Sequence, residues 1–213
     1  MDTSDLTGLT ARARRLALAG DRRILGIAGP PGAGKSTLAE QLVRALGPLA
    51  VLVPMDGFHL AQAELERLGR AERKGAPDTF DAAGYAALLR RLRAPGPGTV
   101  VYAPAFDRSL EQPLAGALPV PPDVPLVVTE GNYLLYGEGP WAPVRGLLDE
   151  AWFLELDDEV RVRRLVERHV RFGKERAYAE HWVAGSDEAN ARLVAAGRDR
   201  ADLVVRLAHG SRS

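Results

Sequence analysis

Eight residues near the N-terminus, Gly29-Pro30-Pro31-Gly32-Ala33-Gly34-Lys35-Ser36, read G-x-x-x-x-G-K-[ST], a run that suits a tight loop between a strand and a helix and little else. The glycines let backbone N–H groups turn inward around phosphate oxygens. The lysine then reaches the β and γ phosphates, and the serine hydroxyl can ligate Mg²⁺. The chain's own composition yields about 0.002 chance matches to this pattern, so an accidental glycine-rich turn is a poor account. The flanks agree: Ile24 to Ala28 is an apolar run of strand length, and Leu38, Leu42 and Leu46 recur at i+4 before a Gly47-Pro48 stop. The helix would point its positive end at the anion. Gly29, Pro30, Pro31, Gly32, Ala33, Gly34, Lys35 and Ser36 are therefore expected to hold a nucleoside triphosphate, with Ser36 on Mg²⁺.

Composition narrows the remaining choices. With 213 residues, 46% of them hydrophobic, the chain can bury one sizeable core, and a single domain over 1–213 is expected. Basic and acidic residues number 28 each, so no global field attracts nucleic acid or an anionic membrane. Cysteine is absent, which removes disulfides, thiolate metal sites and cysteine nucleophiles. Residues 1–20 read as a helix without the apolar core of a signal peptide, and no run approaches the ~20 apolar residues of a membrane span. A soluble cytoplasmic protein is the expectation, and a homodimer is compatible with it. Arginine supplies all but three of the cations, the exceptions being Lys35, Lys74 and Lys174.

Further strands are expected at Ala50 to Val53, Thr99 to Tyr102, Pro125 to Thr129, Ala151 to Leu156 and Asp202 to Leu207, rich in Val and Leu as doubly covered strands are. Asp81 and Asp157 are placed to cap helices that bury Tyr85, Leu88, Leu89 and Leu92, and Val162, Leu165, Val166 and Val170. Ser186 would cap a last helix running to about Ala196. Ala94 to Gly98 and Pro113 to Pro125, dense in Pro and Gly, read as loops. Tyr102 is assigned to the core, and Trp141, Trp152 and Trp182 to core or interface. Strands alternating with helices predict an α/β fold of three layers around a mainly parallel sheet.

In such a sheet chemistry collects at the carboxyl ends of the strands. Asp56 follows the apolar run Val51 to Met55, on the same sheet edge as the phosphate loop, where it suits a base for a substrate hydroxyl; the plain alternative is an Asp-Gly turn. Glu130 ends Val127-Val128-Thr129, where it can hold Mg²⁺ or merely close a strand. Arg161, Arg164 and Arg168, spaced i, i+3, i+7, fall on one helix face, either a solvated surface or a surface for an anion. Of the four histidines, His59, His169, His181 and His209, none has paired metal-ligand spacing; only His59, three residues from Asp56, is assigned a role, as a hydrogen-bond donor to the substrate.

Taken in order, these motifs resemble the P-loop kinase group of uridine kinases, type I pantothenate kinases and phosphoribulokinases. Gly29 to Thr37 resembles their phosphate loop, adding Thr37 to the nucleotide set. Met55-Asp56-Gly57-Phe58 resembles the segment bearing their catalytic aspartate. Arg73-Lys74-Gly75-Ala76-Pro77-Asp78-Thr79-Phe80-Asp81 and Tyr102-Ala103-Pro104-Ala105-Phe106-Asp107 resemble substrate-side stretches, which implies Lys74, Asp78, Phe106 and Asp107 beside the substrate. Thr129-Glu130-Gly131 resembles their Glu-Gly strand end. Arg161, Arg164 and Arg168 stand where that group carries lid arginines, which implies an Arg-rich helical lid over about 158–185, with Arg161 on ATP, Arg164 and Arg168 on the transferring phosphoryl, Gly173 as hinge and Lys174 at the tip. The wording Asp-Gly-Phe-His is nearer to pantothenate kinases than to uridine kinases, although the chain is shorter than typical pantothenate kinases.

The resemblance implies an ATP- and Mg²⁺-dependent kinase acting on a hydroxyl of a small metabolite, such as a nucleoside, pantothenate or a sugar, with Asp56 and Lys35 at the reacting centre. The rival classes are a nucleotide-gated regulatory module and another small-molecule P-loop kinase, for instance one acting on dephospho-coenzyme A. The Asn-Lys-x-Asp pattern of guanine-specific switches is absent, and a switch has little use for Asp56.

Overall fold

In a computed structural model, which describes residues 5–94 and 96–206, helix α1 (Leu6–Ala17) precedes strand β1 (Arg23–Ala28), helix α2 (Lys35–Leu46) and strand β2 (Ala50–Leu52). Helices α3 (Gln62–Arg67) and α4 (Ala82–Arg93) lead to strands β3 (Val101–Asp107), β4 (Gln112–Val120), β5 (Leu126–Gly131) and β6 (Glu150–Glu155). The chain ends in helices α5 (Asp158–Arg171), α6 (Arg176–Trp182) and α7 (Glu188–Ala195) and strand β7 (Leu203–Arg206). Five strands form one parallel sheet in the order β2-β5-β1-β6-β7.

Period-two alternation along the strands splits the core into two layers. Ile24, Val127 and Phe153 face α4 through Leu88, Leu89 and Leu92. Leu25, Ile27, Val128 and Leu154 face α1 and α2 through Leu9, Ala13, Leu38 and Leu42. Each fully buried leucine or isoleucine contributes about 1.5–3 kcal/mol, and Trp141 and Trp152 are buried among them. Asp81 accepts from Gly84 N at 2.8 Å and Asp157 from Glu159 N at 3.1 Å, so both caps lie where the sequence puts them. Leu165, Val166, Ala179 and Val183 give α5 and α6 a small core of their own. Among the described residues no helix is long and apolar enough to cross a membrane.

Three local expectations are corrected. The Pro-rich stretch from Pro113 is strand through Val120, paired antiparallel with β3 in a two-stranded ribbon outside the main sheet. A ribbon has two free edges, where Pro113 and Pro119 need no amide donor, and Pro104 sits at the register shift between Ala103 and Ala105. Tyr102 is 58% exposed instead of buried, because Val101 and Ala103 on either side of it take the inward positions. Ser186 caps nothing; it lies inside a π-helical turn, Val183–Asp187, that joins α6 to α7 and leaves no free helix start. His209 and Leu207 lie outside the described residues.

The ribbon leans on the short turn carrying Asp56. A Cβ at Gly57 would sit 2.4 Å from the Pro104 carbonyl oxygen, so only glycine fits there. Gly57→Ala should therefore destabilise the protein by about 1–3 kcal/mol through overpacking, read as a lower midpoint in urea unfolding; an unchanged midpoint would mean the ribbon yields without cost.

Candidate active site

Strand order decides what meets at the carboxyl edge of the sheet. β1 delivers the phosphate loop, its neighbour β5 delivers Glu130, and β2, on the far side of β5, leads to Asp56. A cleft of about 410 Å³ opens there, with Lys35, Ser36, Asp56, Glu130 and Arg168 in its walls. The loop is held against β6, since a Cβ at Gly29, whose φ is +152°, would lie 2.6 Å from the Leu154 carbonyl oxygen.

Lys35 is nearly fully buried and donates to Pro30 O at 3.0 Å and Asn132 Oδ1 at 2.8 Å. Burial pulls its ammonium down to about 8, against the opposing pull of Glu130 and Asp56. Ser36 Oγ donates to Glu130 Oε1 at 3.1 Å. Burial, reinforced by the Asp56 charge, pushes Glu130 up to about 7. A buried carboxylate whose hydrogen bond comes from a neutral hydroxyl is short of positive charge, which suits it to a cation. Mg²⁺ keeps much of its octahedral shell as water and phosphate oxygens, so Ser36 and Glu130 fit it, although no cluster of three acidic or histidine side chains exists among the described residues.

On the substrate side, His59 is wedged between Phe80 and Phe106, with ring centroids at 4.0 and 4.8 Å. Its Nδ1 lies 2.8 Å from Asp56 O; a carbonyl only accepts, so Nδ1 carries the proton, and burial lowers the ring's pKa and keeps it neutral. Nε2 is then an acceptor rather than the donor expected. Lys74 lines the cleft, stands 5.5 Å above the Phe106 ring and donates to Glu111 O at 2.9 Å.

Asp78 and Asp107 are not brought to the cleft. Asp78 takes the Arg73 guanidinium in a fork at 2.5 and 2.6 Å and pins its own loop. Asp107 accepts from the Ser109 hydroxyl and amide and from Leu110 N; these bonds close the ribbon's turn and hold its carboxyl below the usual range.

The three arginines of α5 also part company. At about 100° per residue, positions i+3 and i+7 fall about 60° and 20° from i, so Arg164 turns outward while Arg161 and Arg168 share an azimuth two turns apart. Arg161 is 1% exposed, bonded to Asp158 at 2.9 Å and Glu188 at 2.5 Å beneath the phosphate loop. Arg164 is exposed and lines none of the cavities described. Arg168 alone reaches the cleft, from an exposed position on the helix; the protein packed around it and then the neighbouring Arg108 charge lower its pKa. Thr37, at the mouth of the loop, is exposed.

Several cleft residues escape the sequence reading. Asn132 stands two positions beyond Glu130, where a strand-end Glu-Gly-Asn was the available signal. Arg108 contacts Asp56 at 3.5 Å and directly follows the quoted Phe106-Asp107. Trp182, assigned to core or interface, lines the cleft and stacks on Tyr178. His169, given no role, pairs with Asp187 at 2.9 Å in the cleft wall. Asn190, 5% exposed, faces the same space. A second cavity of about 600 Å³ lies on the other side of the loop, lined by Pro30, Leu156, Arg161, Ala191, Arg198 and Arg206 among others.

Comparison with known proteins places the fold and the family. Residues 24–208 match the model of the phosphoribulokinase / uridine kinase family. A Schizosaccharomyces pombe protein provisionally assigned as a uridine kinase is 34% identical over 181 residues, which cover 81% of this chain and 77% of that protein. An ATP-dependent kinase-like protein of Aspergillus versicolor is 36% identical over 64% of this chain and 84% of its own. Among solved structures, a protein of Silicibacter sp. TM1040 provisionally assigned as a fructose transport system kinase superposes with a TM-score of 0.85 at 36% identity, over 94% of this chain and 98% of that one.

Proposed function

The chain belongs to the phosphoribulokinase / uridine kinase family, and on that premise we propose that it transfers the γ-phosphoryl group of ATP to a hydroxyl of a small metabolite. One observation carries the reading: Asp56 stands across the same cleft from Lys35, close enough that its charge acts on the lysine. A nucleotide switch has no use for a carboxylate there; a phosphoryl transfer to a hydroxyl does.

Asp56 orients the hydroxyl and takes its proton as the oxygen bonds to phosphorus and the bond to the β-phosphate oxygen breaks. The neutral Nε2 of His59 accepts from a second hydroxyl of the substrate. Lys35 exchanges Asn132 and Pro30 for phosphate oxygens, and the loop amides cradle the rest of the triphosphate. Mg²⁺, held by Ser36 and Glu130, would neutralise charge on the β and γ phosphates. The 600 Å³ cavity beyond Pro30 has room for the base and ribose of ATP. Arg168 meets the transferring group when α5 and α6 close about Gly173, whose φ of +92° suits a hinge.

Coupled ADP release, measured over nucleosides, pantothenate and sugars with the no-substrate rate subtracted, tests this. At least one hydroxyl compound should stimulate release; a rate that no hydroxyl compound raises would remove the kinase reading. Arg168→Ala should lower turnover by about 10²-fold or more while ATP affinity moves by less than about tenfold, because the charge engages fully only in the closed transition state. Equal losses in both would make Arg168 a ground-state ATP ligand.

A further inference from the structure

A small lobe of the cleft, about 100 Å³, is lined by Phe106, Arg108, Glu111, Arg168, His169, Phe172 and Lys174 and touches no residue of the phosphate loop. Its cations are poorly matched. Among the described residues Arg168 and Lys174 form no ion pair, and Arg108 has only its 3.5 Å contact with Asp56. Lys174 rests instead over the Trp182 ring at 4.5 Å and the Tyr178 ring at 5.6 Å.

The carboxylates nearby attract Lys174 without forming an ion pair with it. Glu111 shares the lobe without ion-pairing to any of the three, and Asp187 is engaged by His169 at 2.9 Å. Lys74 adds a fourth positive charge at the Phe106 edge. Burial lowers the pKa of both Arg168 and Lys174; Arg108 adds to it for the first ahead of the opposing carboxylates, whereas for the second the pull of Glu111 and Asp187 comes before the push of Arg168 and Lys74. Like charges gathered beside Phe106 in a lobe whose outer wall, Phe172, is exposed repel one another unless an anion joins them. The triphosphate answers Arg168 on closure but leaves Lys174 and Arg108 without an anion, because the lobe shares Phe106 with the ribbon side of the cleft and holds no residue of the loop.

We propose that this lobe seats an oxyanion, a carboxylate or a phosphate, carried by the same molecule whose hydroxyl is phosphorylated. The identity of the carrier rests on the kinase reading above; the anion site itself does not. A substrate so anchored is held at two points, its charge in the lobe and its hydroxyl at Asp56, and the enzyme would reject neutral analogues of the same shape.

Matched pairs test the preference: D-glycerate against glycerol and pantothenate against its neutral alcohol for the carboxylate, ribose 5-phosphate against ribose for the phosphate. The charged member of one pair should show at least tenfold higher kcat/KM. Lys174→Met should raise its KM about tenfold, the worth of one charge-assisted hydrogen bond, with KM for ATP within twofold, and Lys174→Arg should restore most of the loss. A preferred neutral member, or an unchanged KM in Lys174→Met, overturns the proposal. A second measurement needs no turnover: inorganic phosphate is titrated calorimetrically into the full chain with its loop filled by Mg²⁺ and a non-hydrolysable ATP analogue. Millimolar phosphate should still bind, and Lys174→Met should abolish it. Phosphate binding that vanishes once the loop is filled overturns the lobe, whereas binding that survives in a protein phosphorylating no hydroxyl keeps the lobe and overturns the kinase reading.

Discussion

Lys35→Ala should lower turnover by at least about 10²–10³-fold and weaken binding of Mg²⁺-ATP, the largest effect expected of any single substitution in the loop. The ammonium already occupies the centre of the site, bonded to Pro30 O and Asn132 Oδ1 and buried to 7% exposure. A contact from a cation to a phosphate oxygen is worth about 1.5–3 kcal/mol in the ground state, hence about 10–100-fold in affinity, and removing a charge aimed at a developing anion costs the further rate. Within the loop nothing can replace it: Arg161 beneath it is consumed by Asp158 and Glu188, and the remaining donors are backbone amides and the neutral Ser36 hydroxyl. Lys35→Arg should fail as well, since a planar fork cannot take the place of a compact ammonium between two acceptors. In a chain that uses arginine almost everywhere else, that is a physical reason for lysine here. Calorimetry for ATP and ADP release for turnover check both variants; unchanged affinity with unchanged turnover would show that the loop is not a working phosphate site.

How much of this was legible beforehand follows from where each signal resides. The phosphate loop and the caps at Asp81 and Asp157 are local chemistry, complete within a few residues, and the structure has them where the sequence puts them. Asp56 and Glu130 were readable because a parallel sheet gathers its strand ends on one edge, whatever the order of its strands. The ribbon was hidden, since Pro104, Pro113 and Pro119 carry a loop signature that a two-stranded edge does not enforce. Spacing alone put Arg161, Arg164 and Arg168 on one face; it could not say that Glu188, from a helix 27 residues on, would claim Arg161. Asp78 and Asp107 do not line the cleft, each held by a partner within five residues, Arg73 for the first and Ser109 for the second. Lys174 meets Tyr178 and Trp182 four and eight positions on, along α6 itself, a local helical spacing that the lid reading passed over.

Asp56→Asn separates a kinase from a nucleotide-binding module more sharply than any loop variant. The amide keeps the shape of the side chain and most of its hydrogen bonds but cannot take a proton, and loss of a general base costs about 10²–10⁴ in rate. The defect should fall on turnover with the best hydroxyl substrate, because Asp56 lies at the substrate end of the cleft, beside His59 and Arg108, and away from the cavity beyond Pro30. ATP affinity should change little; removing a negative charge near Lys35 and Glu130 would if anything favour the triphosphate. The fold should survive, since Asp56 is partly exposed and, among the described residues, its one ion pair is the long contact with Arg108. A folded Asp56→Asn protein that turns over its substrate at the wild-type rate would remove Asp56 as the base. Glu130 is then the carboxylate in the same cleft to take up the role, because Asp107, tied into the ribbon's turn, does not line it.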